Sequence, residues 1–241
     1  MNNQTIEKMS QMRLTGMKEN YQTLLQTQQD LTYEEAVSMM VDAEWEWRHN
    51  RKMHRLLKQA AFRYQASIEE IDFNTQRNLN KHNLLRLADC SFIDRAENIL
   101  ITGPTGAGKS FIASAIGHQA CAKEYRVAYF NIQKLFSKLR MSKADHSYHK
   151  IIQRLEKTDL LILDDFGLQP FDNENRLALL EIIDDRNARR STIISAQLPV
   201  KNWYEVINDK TIADAILDRI VHHAHRIELD GQSMRKIKNQ I

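Results

Sequence analysis

The sequence predicts a three-layer α/β domain built on a parallel sheet and preceded by a small all-helical region. Three observations carry that reading. Five short runs rich in Ile, Leu and Val are separated by helix-length segments. Seven glycines and three prolines are few for 241 residues, and three of the glycines fall between Gly103 and Gly108, directly behind the first apolar run. Strands buried on both faces read as continuous apolar runs, and parallel pairing needs helical crossovers between them. So little Gly and Pro excludes collagen, low-complexity chain and a turn-rich all-β protein. Cys90 and Cys121 are too few for a disulfide scaffold and are expected as buried, small apolar side chains in a reducing cytoplasm. No stretch approaches the ~20 apolar residues of a membrane span, and the start, MNNQTIEKMSQ, lacks the basic-then-apolar pattern of a secretion signal.

From Glu7 to Gln65 the chain has no proline, and its only glycine is Gly16. Thr32 with Glu35 three residues on reads as a capping box that opens a helix near Tyr33. Ala36, Met40, Ala43, Trp47, Leu57 and Ala61 recur at helical spacing along it. Its first half is acidic (Asp30, Glu34, Glu35, Asp42, Glu44, Glu46) and its second half basic (Arg48, Arg51, Lys52, Arg55, Lys58), an order that suits the helix dipole. Residues 1–67 are expected as a helical domain and residues 68–241 as the α/β domain, with the junction near 68, where the pattern loosens.

The strands are expected at Asn98–Thr102, Arg126–Asn131, Leu160–Asp164, Ser191–Ser195 and Arg226–Leu229, with helices at Lys109–Lys123 and Asn173–Arg186 among those between them. Behind the first strand, Gly103, Pro104, Thr105, Gly106, Ala107, Gly108, Lys109 and Ser110 match G-x-x-x-x-G-K-[ST]. Glycines let consecutive backbone N–H groups turn toward phosphate oxygens with no Cβ in the way, and the N-terminus of the following helix adds its dipole. Lys109 is placed to reach the β- and γ-phosphates and the Ser110 hydroxyl to ligate Mg²⁺, so these residues read as a nucleoside triphosphate site. Asp164, ending a buried strand, is the expected second metal contact. Asp165 is placed to orient or deprotonate the attacking water, work that a Glu, one methylene longer, usually does in this position.

GPTGAGKS, LLILDDFG, STIISAQLP, ADAILDRIVHHAHRIEL and GQSMRK, in that order, resemble the AAA+ ATPases of the initiator and helicase-loader branch, and within it the IstB family of insertion-sequence transposition helpers. The resemblance implies a P-loop AAA+ sandwich with a five-stranded parallel sheet; the sequence departs from longer AAA+ proteins in that twelve residues follow Leu229, so a minimal or absent lid is expected. The resemblance also implies slow, assembly-dependent ATP hydrolysis, homo-oligomers with nucleotide at subunit interfaces, and contact of the helical region with a transposase. Gln197, or else Ser195, takes the sensor position near the γ-phosphate; Arg219 matches the arginine finger offered to a neighbour; Arg235 matches a second sensor. Asn131, ending the second strand, is either a coupling residue toward Asp165 or a plain strand-end residue. A replicative helicase loader similar to DnaC is the alternative, and a nucleotide-gated scaffold with little turnover a third.

A net charge of +3 is too small to prove a nucleic-acid partner, but its distribution offers two candidates. Lys134, Lys138, Arg140 and Lys143 follow the second strand, where AAA+ assemblies face their channel. Arg48, Arg51, Lys52 and Arg55 recur at i, i+3, i+4 and i+7 on one helix face. Neither set is interleaved with aromatic residues, so duplex backbone is the expected partner rather than stacked single strands. The Asp165-Phe166-Gly167 string lacks the other kinase motifs. His222, His223 and His225 have no Cys nearby and no i, i+4 pair, and read as surface residues.

Overall fold

The structure, a computed structural model, describes residues 2–27, 30–231, 233 and 234. Helices α1 (Asn2–Gln11) and α2 (Thr15–Thr27) precede the long α3 (Tyr33–Ala60), and α4 (Lys81–Ala88) and α5 (Ser91–Asp94) lead into the sheet. Then follow β1 (Asn98–Thr102), α6 (Lys109–Ala122), β2 (Val127–Asn131), α7 (Ile132–Ala144), α8 (Tyr148–Glu156), β3 (Leu160–Phe166), α9 (Asn173–Arg186), β4 (Ser191–Ala196), α10 (Trp203–Ile207), α11 (Lys210–Val221) and β5 (Ala224–Glu228). The chain forms two compact units, residues 1–55 and 56–241. The division falls inside α3 rather than at the expected junction near 68, because Leu56 and Ala60 on the last turns of that helix already belong to the core beneath the sheet.

In the first unit the capping box forms as expected. The Thr32 backbone N–H donates to Glu35 Oε2 at 2.8 Å, and the Glu35 N–H donates to Thr32 Oγ1 at 3.3 Å. Gly16 is the one buried residue of α2. A Cβ there would lie 2.7 Å from the Trp47 Cβ, so the absence of a side chain is what lets α2 approach α3. Buried Glu44 of α3 accepts the Met17 N–H at 3.1 Å and the Arg48 Nε at 2.6 Å.

In the second unit all five strands are parallel, in the order β2-β3-β4-β1-β5. Alternate strand residues feed two separate cores, as the two-residue period of a strand requires. Ile99, Ile101, Leu160 and Ile162 pack with α4, α5 and α6 on one face, whereas Leu100, Leu161, Leu163 and Ile194 pack with α7, α8, α9, α10 and α11 on the other. This is the expected three-layer sandwich. Cys90 and Cys121 are buried in the first of these cores, which pushes their thiols up to about 11 and about 12 and keeps them protonated.

One buried cation braces the edge of the sheet opposite the P-loop. Arg186, at the end of α9, is 1% exposed. Its guanidinium donates to the carbonyls of Leu155, Thr158 and Ser191 and to Thr192 Oγ1. Burial, with Arg190 adding like charge, pushes its pKa down to about 9 although Asp159 opposes the shift. Arg186→Ala takes the guanidinium donor from three buried carbonyls, of which that of Leu155 keeps the Thr158 N–H, and leaves a cavity beside them, so urea unfolding should show a loss of about 3 to 5 kcal/mol. A loss below about 1 kcal/mol would mean that water or a neighbouring residue takes over those contacts.

Candidate nucleotide site

The loop between β1 and α6 turns on backbone that side chains disfavour. Gly103 has φ +145° and Gly108 φ +96°. A Cβ on Gly103 would strike the Leu229 backbone, and one on Gly108 would strike the Arg77 guanidinium. Lys109, 8% exposed, folds back so that Nζ donates to the carbonyls of Gly103 at 2.7 Å and Pro104 at 2.9 Å. The ammonium therefore lies inside the curve of the loop, beside the N–H groups that the first turn of α6 leaves without intrahelical partners. That is a cradle for an anionic phosphate chain.

Next to it, Ser110 Oγ donates to Asp164 Oδ1 at 2.9 Å. Asp164 has no exposed surface and also accepts from the hydroxyls of Ser195 on β4 and Tyr129 on β2. Burial, then the neighbouring Asp164 charge, pushes the Tyr129 phenol far above its ordinary pKa, so it stays a donor. The Ser110 hydroxyl and an Asp164 oxygen side by side are the hard oxygen donors that Mg²⁺ selects, and with the glycine cradle they fit a magnesium–nucleotide complex.

Asp165 lies in a left-handed conformation, φ +59°, where the β3–β4 register shifts between Leu163 and Phe166. Such a bulge re-aims a side chain. Asp165 Oδ2 accepts from Asn131 Nδ2 at 2.9 Å and from Arg63 Nη1 at 3.1 Å, and Arg63 Nη1 also lies 3.5 Å from Asp164 Oδ2. Asn131 works twice, because its Oδ1 accepts the N–H groups of Gln133 and Lys134 and caps α7.

Of the two sensor candidates, Ser195 reaches Asp164, while Gln197 follows the end of β4 and is half-buried. Arg219 stands on α11 with its Nε donating to Asp184 at 2.7 Å and Nη1 to the Ala215 carbonyl at 2.8 Å, apart from this cluster. Arg235 lies outside the described residues. On α7, Arg140 pairs with Asp172 and Glu174 and Lys143 with Glu174, so half of that basic set is compensated within the chain. Lys134 has no ion pair among the described residues, and Lys138 Nζ lies 5.7 Å from the Phe130 ring centroid. On α3, Arg48 pairs with Glu44 and Arg51 covers the Trp47 ring at 5.1 Å, while Lys52 and Arg55 extend the same face.

Three residues at the site carry no mark in the sequence pattern: Arg63, Tyr129 and Arg77. Arg77, 4% exposed, donates from Nη1 to the Ala107 carbonyl at 2.8 Å and from Nη2 to the Asp72 carbonyl at 2.7 Å, tying the segment before α4 to the P-loop.

The family described as IstB-like ATP binding protein matches residues 7–240. An insertion sequence ATP-binding protein of Sinorhizobium fredii is 42% identical over 234 residues, covering 96% of each chain. The ATP-binding protein of insertion sequence IS1162 from Pseudomonas fluorescens is 39% identical over 202 residues, covering 83% of this chain and 87% of its own. Among solved structures, that of DnaI is similar with a TM-score of 0.58 at 20% identity, over 73% of this chain and 93% of that one, a likeness of fold alone.

The strained backbone at Asp165 has a measurable consequence. Left-handed backbone costs an L-residue with a Cβ about 1–2 kcal/mol, a cost that glycine avoids. Asp165→Gly and Asp165→Ala both remove the carboxylate, and the glycine variant should be the more stable by about 1 kcal/mol once its larger unfolded-state entropy is included. Equal denaturation midpoints would show that the bulge relaxes when the carboxylate is gone.

Proposed function

The chain belongs to the family of IstB-like ATP-binding proteins, and from that premise we propose that it is a DNA-binding AAA+ ATPase that assembles on duplex DNA with ATP and assists a DDE-type transposase. The observation that carries this reading is the convergence of Lys109, Ser110 and Asp164 on one glycine-lined loop. The proposed site for ATP runs from Gly103 to Ser110. Ser110 and Asp164 would hold magnesium, which supplies positive charge against the phosphates when bound. Lys109 would bind the terminal phosphates, and Asp165, aimed by Asn131, would orient a water and accept its proton. Ser195 or Gln197 would sense the terminal phosphate, with Arg235 as the second sensor.

Arg219 is assigned to the nucleotide of a neighbouring copy. Its bond to Asp184 does not oppose this. With 29% and 59% of the two side chains exposed, such a pair is worth about 0.2–1 kcal/mol. An arginine finger accelerates phosphoryl transfer by ~10³-fold or more, about 4 kcal/mol. Transition-state stabilisation in an assembly therefore outweighs the surface pair and favours release of Arg219 from Asp184.

Lys134 and Lys138 are the proposed phosphate contacts on α7, joined by Arg140 and Lys143 when their exposed partners yield; Arg48, Arg51, Lys52 and Arg55 form the second basic face. Many copies along one duplex would sum modest contacts per chain. Of the helical region expected over residues 1–67, the first compact unit, residues 1–55, is assigned to the transposase, and residues 56–241 to the ATPase. Tyr33, Val37, Val41 and Trp45 support that assignment, since all four are exposed at four-residue spacing along α3 and leave an apolar stripe for a partner to cover. No helix among the described residues is long and apolar enough to cross a membrane, and the proposed setting is the cytoplasm.

Particle size measured with ATP, with duplex DNA, and with both tests the reading. The large species should require both, and Lys109→Ala should lose nucleotide uptake by calorimetry together with the ATP-dependent DNA complex. Normal DNA complexes in that variant would overturn it, and a preference for single strands would turn it toward a helicase loader.

A further inference from the structure

Between the end of α3 and the start of α4 the chain lays a short strap, residues 61–64, across α6. Ala61, in left-handed backbone at φ +56°, ends the helix and sets the direction of the strap. Phe62 packs against His118 with ring centroids 4.3 Å apart and the planes tilted by 39°, and meets Tyr129 edge-on at 6.2 Å. Gly117 makes the seat, because a Cβ there would come within 2.9 Å of Phe62 Cζ. Tyr64 packs against Phe111 at 6.4 Å. Arg63 is thus held between two aromatic anchors on the helix that begins with Lys109 and Ser110, and its guanidinium meets Asp165 at 3.1 Å and Asp164 at 3.5 Å.

Asp164 and Asp165 are adjacent carboxylates brought to one place, an arrangement that like-charge repulsion opposes unless a cation stands by. Burial alone would lower the Arg63 pKa, but Tyr64, Asp165, Tyr129 and Asp164 together raise it, so the charge is fixed. A magnesium ion held by Ser110 and Asp164 would set a second cation against the same carboxylates. We propose that Arg63 is the resident counter-cation of the Asp164–Asp165 pair, that it competes with the divalent metal there, and that the strap 61–64 thereby changes with the metal state of the site. The inference rests on the nucleotide reading above and adds to it a residue from outside the recognised motifs. Arg63 is a positioning residue: it acts through the two carboxylates, and its side chain, 43% exposed, has room to swing away.

The test is a magnesium titration of fluorescent ATP-analogue uptake by the full chain, with Arg63→Ala and Arg63→Lys alongside. A part-exposed ion pair of this kind predicts that Arg63→Ala lowers the magnesium midpoint by about two- to fivefold. Arg63→Lys, which keeps the charge, should stay near the unaltered chain. Hydrogen exchange of residues 62–65 in the unaltered chain should be faster with nucleotide plus magnesium than with nucleotide plus chelator. A midpoint that is unchanged or higher in Arg63→Ala, with normal nucleotide uptake, overturns the inference alone. Failure of the unaltered chain to take up nucleotide at any magnesium concentration overturns the nucleotide reading and the inference together.

Discussion

A single buried carboxylate organises the second unit. Asp164 is fully enclosed, and desolvating an ionised carboxylate costs several kcal/mol. The position is tolerable because hydroxyls from three different elements converge on it: Ser110 at the start of α6, Tyr129 on β2 and Ser195 on β4. Hydrogen bonds to a charged group contribute about 1.5–3 kcal/mol each, so three donors are of the size needed to offset the cost. The same contacts link the P-loop helix to three neighbouring strands. The stability of the sheet's carboxyl edge and the geometry of the candidate site are therefore one set of interactions, and loosening either loosens both.

Two consecutive carboxylates can serve one site only if the strand is broken between them. In regular β-structure adjacent side chains point to opposite faces. Arg63 nevertheless lies near both Asp164 and Asp165, and the register shift with left-handed φ at Asp165 is what makes that possible. Backbone strain of this kind persists where the surroundings over-determine it. Here Asn131 and Arg63 hold the Asp165 carboxylate while Phe166, fully buried against Phe171 and Trp203, anchors the following residue. Asn131 also caps α7, so the start of that helix and the aim of Asp165 are fixed through one side chain.

The parts legible in the sequence are those whose signal is local. β1 and α9 have the limits that hydrophobic runs and helical period give them, and Gly103 to Ser110 is a contiguous string whose chemistry can be read residue by residue. β3 runs on to Phe166, past the Asp164 at which polarity marks its end, because the bulge lets the ladder resume. β5 starts at Ala224 rather than Arg226, since polar His225 on this edge strand hides the period. Arg63 and Tyr129 are illegible for another reason. Arg63 precedes Asp165 by 102 residues, and Tyr129 lies within an apolar run where a phenol reads as packing. The compensation of Arg140 and Lys143 by Asp172 and Glu174 is equally a product of the fold, since the acids sit at the start of α9.

The exposure of each ion pair separates what is built to stay from what is free to change. Arg186 and Asp164 are enclosed, and each is held by several partners whose loss would strand buried polar groups; they behave as fixed framework. Arg63, Arg140 and Arg219 form pairs that water reaches, with 43%, 56% and 29% of their side chains exposed. Pairs of that kind contribute little and exchange partners easily. All three cations belong to roles proposed above that require such exchange, with a metal ion, a phosphate backbone or a neighbouring nucleotide. A chain that fixed these arginines as firmly as Arg186 would hold its fold equally well, but it would have no low-energy coordinate along which loading of the nucleotide site could alter its surface.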